Sequence, residues 1–471
     1  MDGVSRSVAA MTSDRPAPRL SAALVAVALV VAVVGSLGAP LITSVATTLR
    51  VPLAAAQWTL TVTLFAGAIA GPVLGRLGAG PRRRVTLLTS LAVVVLGGIL
   101  TALPLPSGMP VAFAVLVVGR GLQGLGLGAV ALLMSVARTE LPEARSASTI
   151  AALSVASTVG IGVGYPLVGL IDQLAGLRAA YAFGLVLSAA ALVVAWRSIP
   201  RDAPGPTPRL DVAGAVLLGL GTLGVLLVVA EPAVWTPPIV GASILTLSAL
   251  VLATSAVVEL RAPAPLADLR LLGRPTVLRA NAAMLVSGVG MYLVFSLLTR
   301  FLQTPAGAGY GFALPGVAAG AALIPFSALG FVAGRVAPRI VPRTGARGVF
   351  ALSAAAVAAA AVLLAVGTGS LALVLLAMTV LGFGVGGVSA VMPRLVLEGV
   401  PAPETASVIS INQLVRSVGF SIGSALAGLL LAAATPAGAL VPPAGGYVAA
   451  SLWVLPLLAA ATLIVTVRRS A

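Results

Sequence analysis

The 471-residue chain has no cysteine, no histidine and no lysine, so all 28 of its basic residues are arginine. Without cysteine there are no disulfides, thiolate nucleophiles or thiolate-held metals. Without histidine, the side chain that most often serves as acid, base or metal ligand near neutral pH is missing. A Walker A phosphate loop needs a lysine, so an ATP-driven pump of that kind is excluded within this chain. Charge is scarce at 8% of residues, with only 12 acids, and aromatics supply 4%. Soluble domains carry about 25% charged residues, and a chain this long could not cover its surface with so few. A water-soluble enzyme, a disordered chain and a fibrous protein are all excluded.

Apolar residues are what the chain has in excess, 59% of the total, with a mean hydropathy of +1.13. A membrane-crossing helix needs about 20 mostly apolar residues. Broken at Pro, Gly and Arg clusters, the chain yields fourteen such runs: 20–42, 55–75, 85–104, 110–137, 147–171, 178–197, 211–230, 237–258, 277–302, 313–336, 347–367, 370–393, 405–432 and 446–467. The first is read as an anchored helix and not as a cleaved leader, because thirteen more follow it. The expected fold is an all-α polytopic membrane protein with 14 transmembrane helices.

The net charge of +16 admits a nucleic-acid reading until the arginines are placed. With both termini set in the cytoplasm, 23 arginines fall on the inner side, three (Arg50, Arg178, Arg300) outside, and Arg120 and Arg416 within runs. This positive-inside bias sets the expected topology and accounts for the charge without nucleic acid.

The chain also repeats itself. Gly75-Arg76 matches Gly334-Arg335, and Gly124, Gly126 and Gly128 match Gly382, Gly384 and Gly386. Val159-Gly160, Gly164 and Gly169-Leu170 match Val418-Gly419, Gly423 and Gly428-Leu429 at the same spacing of about 259 residues. Runs 2, 4 and 5 thus pair with runs 10, 12 and 13 and enter from the same side, which predicts parallel pseudo-repeats arranged 6+2+6. The expected units are an N-terminal tail (1–19), a six-helix bundle (20–197), connectors with two inserted helices (198–276, helices 211–230 and 237–258), a second six-helix bundle (277–467) and a short tail (468–471). Segment 198–210 is Pro-rich and polar, as a connector would be.

Three motifs stand in order on this frame. They are GRLGAGPRRR from Gly75 to Arg84, RGLQGLGLGA from Arg120 to Ala129, and GIGVGYPLVG from Gly160 to Gly169; Ala56–Trp58 (AQW) opens the second run. Together they resemble the major facilitator superfamily, and with the two inserted helices its fourteen-helix drug:proton antiporter branch. The resemblance implies two six-helix halves rocking about a central cavity, export of drugs or small amphipathic metabolites, coupling to protons, and a place in a bacterial plasma membrane. The chain departs from the branch in having Ala79 where an Asp is usual, Tyr165 where Gly is commoner, and no acid between Leu20 and Arg50.

Substrate-cavity candidates are Gln57, Trp58, Arg120, Gln123, Tyr165, Asn281, Tyr292, Asn412, Gln413 and Arg416. For Arg120 and Arg416 two readings stand: contact with substrate, or hydrogen bonds to carbonyls of a neighbouring helix. Asn412 and Arg416 share a helix face. Gly75, Arg76, Arg82, Arg83 and Arg84 are candidates for a latch between halves, or for a topology signal. Gly160, Gly164, Pro166 and Gly169 form the antiporter-motif helix, and Asp172 at its outer end is the proton-coupling candidate, since no acid lies mid-run. No cofactor, metal or enzymatic activity is expected, and no intramembrane catalytic set is visible. Expected partners are a small-molecule substrate and the lipid bilayer, with the chain a monomer. A facilitator or exchanger of an organic anion, and a non-transporting sensor or scaffold, are the alternatives.

Overall fold

A backbone in hydrocarbon has no water to bind its amides, so a helix satisfies them internally. The computed structural model of the protein describes residues 17–466 apart from 52, 79–80, 105–109, 203–211, 231, 236, 263–268, 305–308, 315, 402–403 and 437–441. Most of the N-terminal tail, the tail 468–471, most of the 198–210 connector, Ala79 and the side chain of Gln57 lie outside the described residues. Among those described, regular structure is helical throughout and contains no strand.

The helices are α1 (Ala17–Ser36), α2 (Gly38–Leu49), α3 (Leu53–Leu77), α4 (Arg83–Ala102), α5 (Pro110–Glu140) and α6 (Glu143–Ser198). The inserted pair is α7 (Val212–Ala230) and α8 (Pro238–Arg261). There follow α9 (Pro275–Gln303), α10 (Gly316–Ala321), α11 (Leu323–Val366), α12 (Leu371–Val396), α13 (Thr405–Ala434), α14 (Ala444–Leu452) and α15 (Val454–Thr466).

Among the described residues, eleven helical stretches are long and apolar enough to cross a membrane. The difference from fourteen apolar runs has three sources. The 56 residues of α6 and the 44 of α11 each cover two runs, and each is broken by one glycine, Gly176 at φ 83° and Gly345 at φ 71°. Only glycine adopts such angles without steric cost. The third source is α7, whose strongly apolar part, Ala213–Val225, is shorter than a full span.

Hydrogen bonds gather the arginine-bearing helix ends at one end of the bundle. Arg83, at the start of α4, donates to Glu140 at the end of α5 (2.9 Å), and the Arg84 backbone amide donates to Asp202 beyond α6 (2.6 Å). Arg138 on α5 reaches Val400 O (2.7 Å) and Thr405 Oγ1 (3.0 Å), and Arg274 reaches Gly399 O (2.7 Å). Arg76, Arg138, Arg197, Arg261 and Arg394 all stand in the last turns of their helices, where a cation meets the negative end of the helix dipole.

The repeated glycines serve the same contacts in both halves. A Cβ on Gly124 of α5 would lie 2.3 Å from Thr63 O of α3; one on Gly382 of α12 would lie 1.9 Å from Phe326 O of α11. Gly164 of α6 meets Ser36 of α1 as Gly423 of α13 meets Val289 O of α9. Small residues let helix backbones approach this closely. Helices α1–α6 pack mainly on one another, as do α9–α15. The halves meet where α6 lies on α11 and α12 and where α13 lies on α3 and α5, while the α7–α8 pair leans on α3.

Candidate functional site

Arg120 and Arg416 are alike in sequence position and opposite in surroundings. A buried arginine costs at least about 2.5–3.5 kcal/mol to insert, so its donors must find acceptors. Arg120 is 0% exposed. The helical ladder is interrupted between α1 and α2, where the Leu37 amide reaches back three residues to Val34 O at 3.4 Å. Arg120 adds donors to the same turn: Nη1 donates to Val34 O (3.0 Å) and Nη2 to Gly35 O (3.2 Å). Nε donates to Thr59 O on α3 (3.2 Å), and Nη1 also to Gln123 Oε1 (2.6 Å). Gln123 passes its amide on to Thr101 Oγ1 (3.3 Å). Arg120 and Gln123 therefore point into the first half, not into the space between halves. They are a joint pin for α1, α3, α4 and α5, the carbonyl-bonding reading of the two that the sequence left open.

Arg416 faces the other way. It borders a cavity of 10 Å³ between the halves together with Asn412, Gln413, Ser154 and Ser389, and with the adaptable thioethers of Met134, Met284 and Met392. A cavity of that size holds about one water. The Asn412 amide donates to Asn281 Oδ1 (3.1 Å), and the Asn281 amide to Val277 O (2.9 Å), which ties α13 to α9 beside the arginine. The Arg416 guanidinium lies 5.7 Å from the centre of the Phe420 ring, and among the described residues no oxygen hydrogen-bonds it. Phe420 stacks on Tyr292 (5.1 Å), which abuts Phe295 and, through it, Phe326. Four of the sequence candidates thus converge here: Tyr292, Asn412, Gln413 and Arg416, with Asn281 bracing them; Tyr165, half-buried on α6, lines neither this cavity nor the next. Trp58, half-buried near the start of α3, lines neither this cavity nor the next.

A vestibule of 470 Å³ opens at the arginine-rich end between α5, α6, α11 and α12. Arg138, Arg394 and Glu143 stand on its wall among apolar residues, and Pro393 borders both vestibule and central cavity. Arg138 was not among the sequence candidates, yet it reaches from one half to the other. The sequence candidates for that latch bond within the first half: Arg83 to Thr139, Glu140 and Asp202, and Arg84 to Trp196 O and Asp202. Gly75 is buried, Arg76 half-buried and Arg82 exposed.

On the antiporter-motif helix, Gly160 and Gly164 face α1, Pro166 is half-buried, and a Cβ on Gly169 would meet open space. Gly162, between the first two and 200° around the helix from each neighbour's face, points instead at Ser327 and Leu323 of α11. The alternating G-x-G-x-G was the available signal that two faces of α6 are packed closely. Asp172, beyond this motif, accepts a hydrogen bond from Ser44 of α2.

The chain is similar to known membrane transporters. A family model of the Major Facilitator Superfamily matches residues 20–424. The multidrug resistance protein Stp of Mycobacterium tuberculosis is 27% identical over 357 residues, covering 74% of this chain and 64% of its own length. The methylenomycin A resistance protein of Bacillus subtilis is 31% identical over 161 residues, 32% of each chain. The chain therefore spans less than two thirds of the length of either relative. Among solved structures, the human organic anion transporter MFSD10 (TETRAN) superposes with a TM-score of 0.65 at 15% identity, over 96% of this chain and 100% of its own. The proton:xylose symporter XylE superposes at 0.64 with 13% identity, over 95% of each. At these identities the two structures speak to fold alone. With the family model matching most of its length and the same helical architecture present, the chain belongs to the Major Facilitator Superfamily of membrane transporters.

Proposed function

We infer that the protein is a secondary active exporter of drugs or small amphipathic metabolites, working by alternating access. One observation carries this reading. A polar, arginine-bearing cavity is shut to 10 Å³ between two halves, directly beside a 470 Å³ vestibule at one end. A substrate fits the centre only if the halves part, and two halves in contact mainly along a few helices are suited to rock apart. The names of two relatives, multidrug resistance protein and methylenomycin A resistance protein, support the substrate class. The arginine-rich end is the cytoplasmic one by the positive-inside rule, with both termini in the cytoplasm; the reading further takes the fourteen apolar runs as spans of a bacterial plasma membrane and a monomer as the working unit.

Coupling to protons is the energy source in this reading, and Asp172, held by Ser44, is the group that would titrate. The test is a drug-susceptibility panel with and without the gene, repeated with a protonophore. Gene-dependent resistance that the protonophore abolishes supports the reading; no change in susceptibility to any compound refutes export. An Asp172→Asn variant that still exports in response to a pH gradient removes Asp172 from the coupling step.

A further inference from the structure

We propose that the transported substrate is an organic anion, a carboxylate or sulfonate on an apolar body, with Arg416 as its counter-ion and the vestibule between Arg138 and Arg394 as its approach. The assignment rests on the transport reading above and narrows its substrate. A guanidinium presents five donors and keeps its charge in any accessible protein environment. The donors of Arg120 are used on carbonyls and Gln123, whereas Arg416 has an aromatic ring and no oxygen acceptor among the described residues. No Asp or Glu lines the central cavity. A cationic substrate would find there a like charge and no counter-ion; an anionic one supplies the half-buried guanidinium with the oxygen acceptors that the described residues do not. Gln413, without a side-chain partner among the described residues, adds a neutral donor and acceptor on the same wall, and the Phe420–Tyr292 stack offers flat apolar surface to the rest of the molecule.

The approach carries the same sign. Arg138 and Arg394 stand on the vestibule wall against one acid, Glu143, and Pro393 joins that wall to the central cavity. Positive groups along a low-dielectric passage concentrate anions within it.

The test uses the purified full chain in nanodiscs of phosphatidylcholine and three matched probes: 2-naphthoate, 2-naphthamide and 2-naphthylmethylammonium. Binding is measured by calorimetry and flux in proteoliposomes. The wild type is expected to bind naphthoate about ten- to a hundredfold more tightly than the amide, the range for one charge-assisted contact, and the ammonium more weakly still. Arg416→Gln should abolish the preference and Arg416→Lys should keep much of it, both at unchanged protein melting temperature. Arg120→Lys, if it folds, should leave the preference intact. Equal or tighter binding of the ammonium, an unaltered preference in Arg416→Gln, or no binding of any probe at millimolar concentration overturns the proposal. An anionic lipid headgroup has the same chemistry, so the measurement is repeated with phosphatidylglycerol in the disc. Loss of naphthoate binding there assigns the site to lipid and overturns it as a substrate site. Flux of all three probes without charge preference leaves the exporter reading standing and removes this one. Arg416-dependent naphthoate binding with no flux of any probe shows an anion site that does not serve transport, and overturns this proposal together with the exporter reading.

Discussion

Replacing Gly162 with alanine tests whether the two halves bear on one another through α6 and α11. The new Cβ would lie 1.5 Å from Ser327 Oγ, 2.2 Å from Ser327 Cβ and 2.7 Å from Leu323 O. The hydroxyl can rotate away, but the Ser327 Cβ and the Leu323 carbonyl belong to the wall of α11. Carbon atoms rest about 3.5–4.0 Å apart, so the helices must separate locally by about 1.3 Å or more. Overpacking of this kind costs about 1–3 kcal/mol. Because the contact joins halves and is not internal to either, the cost falls on conformations that bring α6 and α11 together at this level. At about 1.4 kcal/mol per factor of ten, the population of those conformations drops roughly five- to a hundredfold. Gly162→Ala should therefore lower the transport rate by that order while each half keeps its own packing. The rate in proteoliposomes is read alongside thermal unfolding in detergent. A second change, Ser327→Gly, should restore part of the loss, since it removes the two shortest contacts and leaves the Leu323 carbonyl. A Gly162→Ala protein with wild-type flux and an unchanged melting curve would show that the halves do not close on this crossing.

Arg120→Met removes the charge-assisted hydrogen bonds to Val34 O, Gly35 O, Thr59 O and Gln123 Oε1, and at about 1.5–3 kcal/mol for a bond to a charged group the protein should lose several degrees of melting temperature or fail to accumulate in the membrane; normal accumulation and melting would contradict the pin. Asn281→Ala and Asn412→Ala each break the same bond, so each should cost about 1 kcal/mol and the double variant little more than either, a non-additivity that a thermal double-mutant cycle reads directly. Arg138→Gln removes the hydrogen bonds to Val400 and Thr405. A cysteine placed at Ala147 on the vestibule wall should then react several times faster with a maleimide, free of background because the chain has no native cysteine. An unchanged labelling rate would show that Arg138 does not hold this end closed.

Much of this architecture is legible in residue order because lipid imposes simple rules. Apolar runs of span length, arginines gathered at one end, and glycines recurring at about 259 residues all have direct counterparts in the helices, the end-to-end hydrogen bonds and the paired close contacts. The convergence of Asn412 and Arg416 also followed from their i, i+4 spacing. What was not legible depended on where backbone acceptors are free. The fate of Arg120 is decided by the interruption of the first helix at Leu37; Pro40, which has no amide for the carbonyl of Ser36, announces the interruption but not which side chain reaches the turn before it. The link between halves sits on Arg138 because the end of α5 abuts the start of α13, a juxtaposition between residues more than 260 positions apart. Of the conspicuous triplet Arg82–Arg84, Arg83 and Arg84 are nearer the ends of α5 and α6 and are engaged there.

The pin at Arg120 has no twin. The repeat spacing of 258 in this helix puts Met378 at the corresponding place, buried and apolar, and the helix corresponding to the broken α1–α2 is α9, unbroken over 29 residues. One bundle is therefore riveted by polar bonds across four of its members, whereas its copy is held at that spot by fit alone. A duplicated protein that began with interchangeable sides has in this way acquired one stiff jaw and one compliant jaw. Amide exchange should find the compliance in α9 and α12, where bending costs no hydrogen bond to a charge.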